Sequence, residues 1–381
     1  MKIGILTQPL SNNYGGLLQN FALQQAVLKV GHTPETIDHC SDKVSYLSSL
    51  KQNVLHKLFP DKYGAMRYQP SAKETAVIGH NTQYFIDKYI AHTAAFSTPR
   101  KLHDFVMKGN YDGFVVGSDQ CWRPMYNEVF LKDMFLGFVD GDKTKKKIAY
   151  AASFGTDKWE FTPDMTAECT KLAKEFDIIT VREDSGVHLC KEYLHVDAEY
   201  VLDPTMLLLK EDYINLVEQE NEPISKGNLF YYILDPSKQK SDLIERVANE
   251  MELTPFTVLP RCQAENRTKS DVKRHIEDCV YPAVTSWLRG FMDAKMVIVD
   301  SFHGMVFSII FNKPFWVIEN GRRGNTRFDS LLNLCNLTDR LKSSDRVNEI
   351  DLKNEIDWSS VNNIIKEKRE YSMALLEKSF N

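Results

Sequence analysis

The sequence lacks the features that mark several classes of protein. Its seven cysteines include no CxxC pair, so neither a disulfide framework nor a zinc site is predicted, and we expect reduced thiols. No apolar run approaches the roughly 18 residues that a membrane span needs. The 47 Lys and Arg residues are outnumbered by 52 Asp and Glu residues, which gives a net charge of −5. This balance does not favour a nucleic acid partner.

These absences also bear on location. Residues 1–7 are typical of a short strand and lack the apolar length of a signal peptide, so we expect a cytoplasmic protein. Peripheral association with the inner face of the cell membrane stays open, and so does a homodimer. A chain of 381 residues exceeds one ordinary hydrophobic core, which predicts two domains of roughly 150–200 residues each.

What the sequence does contain is an alternation of β-branched runs, turns and helical stretches. This pattern is typical of an α/β fold and predicts two Rossmann-like domains that face a central cleft. We expect the first domain at 1–203, with a polar, helical insertion at about 41–105, and the second at 204–357. A charged helix over 358–381 is expected to pack back on the first domain. The insertion covers the cleft or mediates dimer contacts, and the sequence does not choose between these roles.

One stretch, residues 294–310, combines a structural signal with a chemical one. Residues 296–299 are typical of a buried parallel strand, and an apolar helix follows the turn at Asp300 and Ser301. Ligands of open α/β sheets bind at such crossings. The unpartnered amide hydrogens of a helix N-terminus also attract anions. His303, in the first helical turn, is therefore a candidate site residue, and the alternative is a surface histidine in a tight turn.

Two further polar turns follow predicted strands. In the first, residues 13–16, two glycines either admit a ligand close to the backbone or satisfy a turn. The GxGxxG pattern of dinucleotide-binding folds is absent there. In the second, Asp119 and Gln120 suit hydrogen bonds to sugar hydroxyls, and the ring of Trp122 suits stacking on a sugar. A plain polar turn explains this second segment equally well.

Arginines supply the remaining candidate anion ligands. Arg182 directly follows the strand predicted at 177–181, and its planar fork suits a carboxylate or a phosphate. The alternative for Arg182 is a structural salt bridge. Residues 321–327 form a glycine-flanked loop with three arginines, which is typical of an anion clamp or of a solvated basic face.

Six segments, in this order along the chain, resemble the polysaccharide pyruvyl transferases. The segments are Asn13–Gln24, Gly117–Gln120 with Trp122, Ala151–Gly155, Arg182–Gly186, Leu202–Thr205 and Asp300–Gly304. The resemblance covers residues 1 to about 340. It implies a GT-B-like fold and the transfer of pyruvate from phosphoenolpyruvate to a sugar of a surface or capsular polysaccharide, or of its lipid-linked precursor, as a ketal. Phosphoenolpyruvate is then the donor substrate, and no cofactor is implied.

The resemblance also implies roles for single residues. Arg182 and His303 match positions that contact phosphoenolpyruvate. Ser301 stands where the family often has a further arginine, and we hypothesise that Arg327, with Arg323 in reserve, supplies the missing charge. The expected donor site comprises Arg182, Ser301, Phe302, His303, Gly304, Arg323, Asn325 and Arg327. The expected acceptor site comprises Asn13, Tyr14, Gly15, Gly16, Gln19, Ser118, Asp119, Gln120 and Trp122.

The implied chemistry needs residues of these types. Ketal formation requires a proton for the methylene carbon of phosphoenolpyruvate, attack by two sugar hydroxyls and loss of phosphate. Histidine suits the proton transfer, so we expect His303 to donate the proton or to stabilise the departing phosphate. Asp119 is the candidate base for an acceptor hydroxyl, and no metal site is predicted.

Two other functions fit the same residues. A glycosyltransferase of the GT-B type would place the diphosphate of a nucleotide sugar at the same helix end and arginines. A non-catalytic module that binds glycans or anions would use the same cleft without turnover. Stabilisation of the folded protein by phosphoenolpyruvate would favour the pyruvyl transferase, and stabilisation by nucleoside diphosphates would favour the glycosyltransferase. Saturable binding without turnover would favour the binding module.

Overall fold

The computed structural model describes residues 1–40, 68–127, 129–264, 267–319 and 326–381. The strands are β1 (Lys2–Leu6), β2 (Thr33–Thr36), β3 (Gly113–Val116), β4 (Lys146–Ala152), β5 (Ile178–Val181), β6 (Glu199–Tyr200), β7 (Leu229–Tyr232), β8 (Pro255–Phe256), β9 (Met296–Val299), β10 (Phe315–Ile318) and β11 (Leu341–Lys342). The helices are α1 (Tyr14–Lys29), α2 (Ala72–Ile78), α3 (His80–Tyr89), α4 (Pro99–Val106), α5 (Pro124–Asn127), α6 (Pro163–Ala173), α7 (Asp184–Leu189), α8 (Lys210–Gln219), α9 (Lys238–Glu250), α10 (Lys269–Arg274), α11 (Val284–Asp293), α12 (Phe302–Ile310), α13 (Thr326–Leu334) and α14 (Trp358–Phe380).

These strands form two parallel sheets, one in each half of the chain. The first has the order β2-β1-β3-β4-β5-β6 and the second the order β11-β10-β9-β7-β8. Every pair of neighbouring strands is parallel. In both sheets the strand order reverses beside the first strand, between β1 and β3 and between β7 and β9. Open α/β sheets bind ligands at such switch points, outside the carboxyl ends of the strands.

The strands at the switch points are buried because their residues are apolar and covered by helices on both faces. All four residues of β3 and all four of β9 are buried. Val-rich runs of this kind suit a parallel sheet, in which neither face meets water. The predicted strand, turn and helix of residues 296–310 are confirmed. So is the predicted fold class, two Rossmann-like α/β domains that face a cleft in a GT-B-like arrangement.

Helix α1 begins earlier than its sequence pattern predicted. We expected a polar turn at residues 13–16, but the helix starts at Tyr14. The side chain of Asn13 caps it by accepting a hydrogen bond from the backbone N–H of Gly16. Gly15 and Gly16 therefore lie in the first helical turn, so the prediction of a glycine turn here was wrong.

One hydrophobic cluster joins the two halves. Tyr14 and Leu17 of α1 pack in the same buried cluster as Trp287 of α11 and Phe307 of α12. The Tyr14 ring stacks on Trp287 with ring centroids 5.9 Å apart. Because burial of each large apolar side chain stabilises the fold by about 1.5–3 kcal/mol, this cluster fixes α1 against the second domain.

The last helix returns to the first domain. Leu376 and Phe380 of α14 belong to the buried cluster that contains Ile3 of β1 and Leu23 of α1. The hydroxyl of Ser372 accepts a hydrogen bond of 3.1 Å from the backbone N–H of Leu202. Part of the predicted insertion, residues 41–67, lies outside the described residues, and residues 72–106 contribute α2, α3 and α4. Among the described helices, none is both long enough and apolar enough to cross a membrane.

Candidate active site

The two switch points face each other across one small cleft. Its volume is about 60 Å³. Its lining comes from the segments that follow β1, β3, β7 and β9, and from the first turn of α13. The lining residues are Asn13, Gly15, Asp119, Gln120, Tyr232, Leu234, Asp300, Ser301, Phe302, His303 and Arg327. Because both domains supply these residues, the size of the cleft depends on the separation of the domains.

His303 lies in the first turn of α12, where the apolar strand β9 delivers it. The hydroxyl of Ser301 caps this helix by accepting a 3.1 Å hydrogen bond from the backbone N–H of Gly304, as serine commonly does at an N-cap. The imidazole of His303 is 8% exposed. It packs against Gly15 so closely that a Cβ at residue 15 would lie 2.2 Å from its Nδ1. Only glycine at position 15 leaves room for this ring.

Asp203 is the carboxylate nearest to the other nitrogen of this imidazole. His303 Nε2 lies 3.7 Å from Asp203 Oδ2 and, within the described part of the chain, has no hydrogen-bond partner. Asp203 also accepts a 2.7 Å hydrogen bond from the hydroxyl of Thr205. Burial acts to raise the pKa of Asp203, but the neighbouring His303 and Arg182 outweigh it and hold that pKa below its usual range.

Arg182 forms ion pairs with carboxylates of its own domain. Its side chain is fully buried and donates 2.7 Å hydrogen bonds to Asp203 Oδ2 and Asp119 Oδ1. Its Nε contacts Glu183 Oε1 at 3.4 Å. Burial acts to lower the pKa of Arg182, but Asp119, Asp203 and Glu183 raise it above its ordinary value. Arg182 therefore positions Asp119 and Asp203, so the structural salt bridge, its alternative, is present. Its contact with the donor stays a prediction.

Asp119 lines the cleft and is held from behind by Arg182. Burial acts to raise the pKa of Asp119, while Arg182, His303 and Arg327 lower it below its usual value. A carboxylate with a lowered pKa is a weaker base, because it binds a proton less readily. Asp119 is thus better suited to orienting a hydroxyl than to removing its proton.

Arg327 is the arginine that reaches the cleft. It lies in the first turn of α13, is 6% exposed, and has its guanidinium carbon 5.9 Å from the centre of the Phe302 ring. Arg182 contacts the same ring at 4.6 Å. Burial, followed by the like charge of Arg182, lowers the pKa of Arg327 to about 10. It is still a cation at neutral pH, and an anion in the cleft would relieve the repulsion between the two arginines.

Asp300 shapes the turn that carries His303. Its buried carboxylate accepts hydrogen bonds from the backbone N–H groups of Leu234 and Asp235, at 2.7 Å and 2.9 Å. It also pairs with the buried Lys240 at 2.7 Å. These contacts tie the end of β7 to the end of β9, so the two segments that form one wall of the cleft are rigidly connected.

Several expected acceptor residues are structural instead. Trp122 is fully buried, stacks on Phe135 at 4.7 Å, and donates its indole hydrogen bond to the carbonyl oxygen of Met134. Its ring offers no face to a sugar, so that interpretation was wrong. The local sequence did not reveal this, because a tryptophan in a polar turn has the same sequence pattern whether its side chain is exposed or buried.

Three further acceptor candidates are also committed to the interior. The side-chain oxygen of Gln19 accepts a 3.0 Å hydrogen bond from the backbone N–H of Ser118. The hydroxyl of Ser118 donates to the carbonyl oxygen of Ala151 at 2.7 Å. The hydroxyl of Tyr14 donates to the carbonyl oxygen of Pro282 at 3.0 Å, across the domain boundary. Gln19 and Ser118 therefore support the cleft without lining it. Tyr14 joins the two domains.

The remaining candidates divide between the cleft and its support. Asn13, Gly15, Asp119 and Gln120 line the cleft, as do Ser301, Phe302, His303 and Arg327. Gly16 and Gly304 donate the capping hydrogen bonds of α1 and α12. Arg323 and Asn325 lie outside the described residues. Sequence reasoning missed Asp203, Tyr232 and Asp300 as parts of this site, although each stands at the carboxyl end of a strand. Among the described residues, no group of three or more His, Cys, Asp or Glu side chains is placed to hold a metal ion.

Comparison with known proteins assigns the chain to a family. A family model described as "Polysaccharide pyruvyl transferase" matches residues 13–322. The chain belongs to the polysaccharide pyruvyl transferase family. Among the described residues that line the cleft, the match contains all except Arg327, which lies five residues beyond its end. No curated protein matches the chain in sequence.

Solved structures with a similar course of the chain are distant in sequence. The UDP-GlcNAc 2-epimerase from Neisseria meningitidis bound to UDP-GlcNAc is 9% identical, with a TM-score of 0.49 over 100% of this chain and 99% of the epimerase. The epimerase from Rickettsia bellii is 10% identical, with a TM-score of 0.49 over 100% and 98%. Arabidopsis thaliana UGT89C1 complexed with UDP-L-rhamnose is 10% identical, with a TM-score of 0.47 over 99% and 93%.

Proposed function

We propose that the protein transfers pyruvate from phosphoenolpyruvate to two hydroxyls of a sugar in a surface or capsular polysaccharide or its precursor, forming a cyclic ketal. The observation that carries the proposal is the meeting of His303 and Arg327 at the N-terminus of α12, in a member of the pyruvyl transferase family. A proton donor, a cation and a helix end are what an enol phosphate requires at its reacting end.

The donor is a small molecule with a carboxylate and a phosphate. Arg327 suits one of these groups, since a guanidinium binds either in a charge-assisted pair. The N-terminus of α12 suits the other, because a helix N-terminus carries a partial positive charge. The cleft of about 60 Å³ is small for such a donor, so we expect the two domains to separate when it enters.

The reaction needs one proton at the outset. In the proposed step His303 gives a proton to the methylene carbon of phosphoenolpyruvate, which becomes a methyl group, and positive charge develops at the neighbouring carbon. One sugar oxygen bonds to that carbon, the bond to the phosphate oxygen breaks with its electron pair, and the second sugar oxygen takes its place. One hydroxyl proton returns to His303 and the other leaves with phosphate, so atoms and charges balance.

The two ring nitrogens of His303 have different tasks in this proposal. Nε2 is buried and lies 3.7 Å from Asp203, beyond hydrogen-bond distance, so the carboxylate stabilises the charged ring by its charge alone. Nδ1 lies beside Gly15, which lines the cleft, and is assigned the transferred proton. Asp203 thus acts through His303, because it favours the protonated form of the ring.

The proposal is tested by assaying phosphate release from phosphoenolpyruvate over a panel of oligosaccharide acceptors. We expect phosphate and a ketal methyl signal in the proton NMR spectrum of the same acceptor, in equal amounts. Transfer of a sugar from UDP-sugars to these acceptors, with no release from phosphoenolpyruvate, would instead establish a glycosyltransferase. Saturable glycan binding without either turnover would establish a binding module.

A further inference from the structure

A second and larger cavity opens beside the cleft. It lies between the loop of residues 10–12 and the helices α2 and α3, and its volume is about 740 Å³. This is within the range of roughly 300–1,000 Å³ found for ligand pockets. We call this cavity the groove. The reaction proposed above takes place in the cleft and assigns no function to the groove.

The groove and the cleft lie beside the same loop. Asn12 lines the groove and the next residue, Asn13, lines the cleft. The loop is held by two hydrogen bonds. Asp38 Oδ1 accepts a 3.0 Å hydrogen bond from the backbone N–H of Leu10, and the side-chain oxygen of Asn12 accepts one from the hydroxyl of Thr82 on α3. This loop therefore places the groove next to the cleft, within reach of a chain molecule whose end reacts there.

The side chains of the groove suit hydroxyl-rich sugars. Tyr84 is a large ring that is 51% exposed. Its hydroxyl donates to Glu220 at 3.2 Å and the Lys88 ammonium lies 5.2 Å from its ring centre, so the ring is held in place. Gln83 and Asp87, which hydrogen-bond to each other at 2.8 Å, offer polar groups beside it. A rigid aromatic ring flanked by amide and carboxylate groups binds both the apolar faces and the hydroxyls of a sugar.

The charge of the groove does not favour an anionic ligand. Its lining contains one carboxylate, that of Asp87, and no lysine or arginine among the described residues. The ammonium of Lys88, beside the Tyr84 ring, is paired with Glu220 at 2.7 Å, so it is already neutralised and less available to a phosphate or a nucleic acid. We propose that the groove binds the part of the acceptor glycan that precedes the sugar held in the cleft. The inference rests on the proposed function, because it assigns the growing polysaccharide chain to a place outside the reacting site.

The experiment compares a long glycan with its own end. A glycan array of mono- to hexasaccharides identifies a hexasaccharide that the wild-type protein binds, and calorimetry then gives Kd for it and for its terminal disaccharide. We expect Tyr84→Ala to weaken the hexasaccharide on the order of tenfold, equivalent to about 1.4 kcal/mol, and to leave the disaccharide unchanged. Tyr84→Phe should retain the affinity, because it retains the ring.

Tyr371→Ala is the matched control, since Tyr371 is also an exposed tyrosine, 41% accessible, but lies on α14 away from the groove. It should change neither Kd. The inference is overturned if Tyr84→Ala weakens binding of the long and the short glycan equally, or weakens neither. It is also overturned if the wild-type protein binds no hexasaccharide more tightly than its terminal disaccharide. Phosphate release from phosphoenolpyruvate is measured on the same variants. Normal release without an effect of glycan length refutes the groove alone, whereas no release from the wild type refutes the proposed function.

Discussion

The two domains use the carboxyl ends of their strands differently. In the first domain Asp119, Arg182 and Asp203 follow β3, β5 and β6 and bind one another. In the second domain Ser301 and His303 follow β9, and the described contacts of the His303 imidazole include no hydrogen bond at its buried Nε2. One edge is a closed ion network, and the other presents a capped helix end and an imidazole to the cleft.

Two arginines show what this difference teaches. Arg182 and Arg327 contact the same Phe302 ring, yet three carboxylates raise the pKa of Arg182, while burial and the charge of Arg182 lower the pKa of Arg327 to about 10. Carboxylates of the protein favour the charged form of Arg182, and an anion in the cleft would favour the charged form of Arg327. We therefore expect the loss of Arg182 to appear as a loss of stability and the loss of Arg327 as a loss of donor affinity.

The largest expected effect follows removal of Arg182. Arg182→Ala leaves Asp119 and Asp203 buried without their cation, which costs about 3–5 kcal/mol of the free energy of unfolding. Urea unfolding followed by circular dichroism measures it. Arg346→Ala is the control, because its pair with Glu349 is solvent-exposed and is worth about 0–1 kcal/mol. Equal effects of the two substitutions would show that the network contributes no more than a surface pair.

Removal of the imidazole tests the other edge. We expect His303→Ala to lower kcat for phosphate release at least ~10²-fold, the lower range for a lost acid–base group, because no other described residue that lines the cleft is a histidine. Stability should change far less than in Arg182→Ala. His188→Ala, at an exposed histidine of α7, should behave as the wild type. A kcat for His303→Ala near that of the wild type would contradict the assigned role.

The cation of the cleft is tested by donor binding. Arg327→Ala should raise Kd for phosphoenolpyruvate by about tenfold or more, since a hydrogen bond to a charged group contributes about 1.5–3 kcal/mol. Arg327→Lys should recover part of the affinity, because it keeps the charge and loses the planar fork. Calorimetric titration with phosphoenolpyruvate measures both constants. An unchanged Kd in Arg327→Ala would remove this residue from the donor site.

The smallest expected effect is a pH dependence of stability. The pKa values of Asp203 and Asp119 are held below their ordinary values, despite burial, by His303, Arg182 and, for Asp119, Arg327. The folded state therefore binds protons less readily than the unfolded chain. The stability that these carboxylates contribute is fully present above about pH 4 and is lost as the pH falls below it.

Asp203→Asn should flatten this loss, which urea unfolding at several pH values below about 4 measures. Burial raises the pKa of Glu183, so the change in stability that Glu183 causes has the opposite sign and occurs at higher pH. Measurements below about pH 4 therefore report on Asp203 and Asp119. A slope that is the same in the variant and the wild type would show that Asp203 is not a source of the acid sensitivity.

The sequence predicted what depends on neighbouring residues. The apolar run of β9, the turn and the capping hydroxyl of Ser301 are local signals, and the structure has them as expected. The fold class followed from the same alternation repeated along the chain. The C-terminal helix was also predicted correctly, because its charged pattern is continuous from Trp358 to Phe380.

What the sequence did not predict depends on pairings across the chain. Arg182 meets Asp119, 63 residues away, and His303 meets Asp203 from the other domain. No local pattern shows that distant carboxylates hold the side chain of Arg182. Trp122 was misread for the same reason, since its partner ring Phe135 and its hydrogen-bond acceptor Met134 lie in a separate short helical segment.

The central claim is that the cleft between His303 and Arg327 binds phosphoenolpyruvate as its donor. The most direct measurement is the shift in Tm of the wild-type protein with saturating phosphoenolpyruvate and, separately, with UDP, because a ligand that binds only the folded state raises its stability. We predict that phosphoenolpyruvate raises Tm and that UDP does not. A rise with UDP and none with phosphoenolpyruvate would contradict the claim.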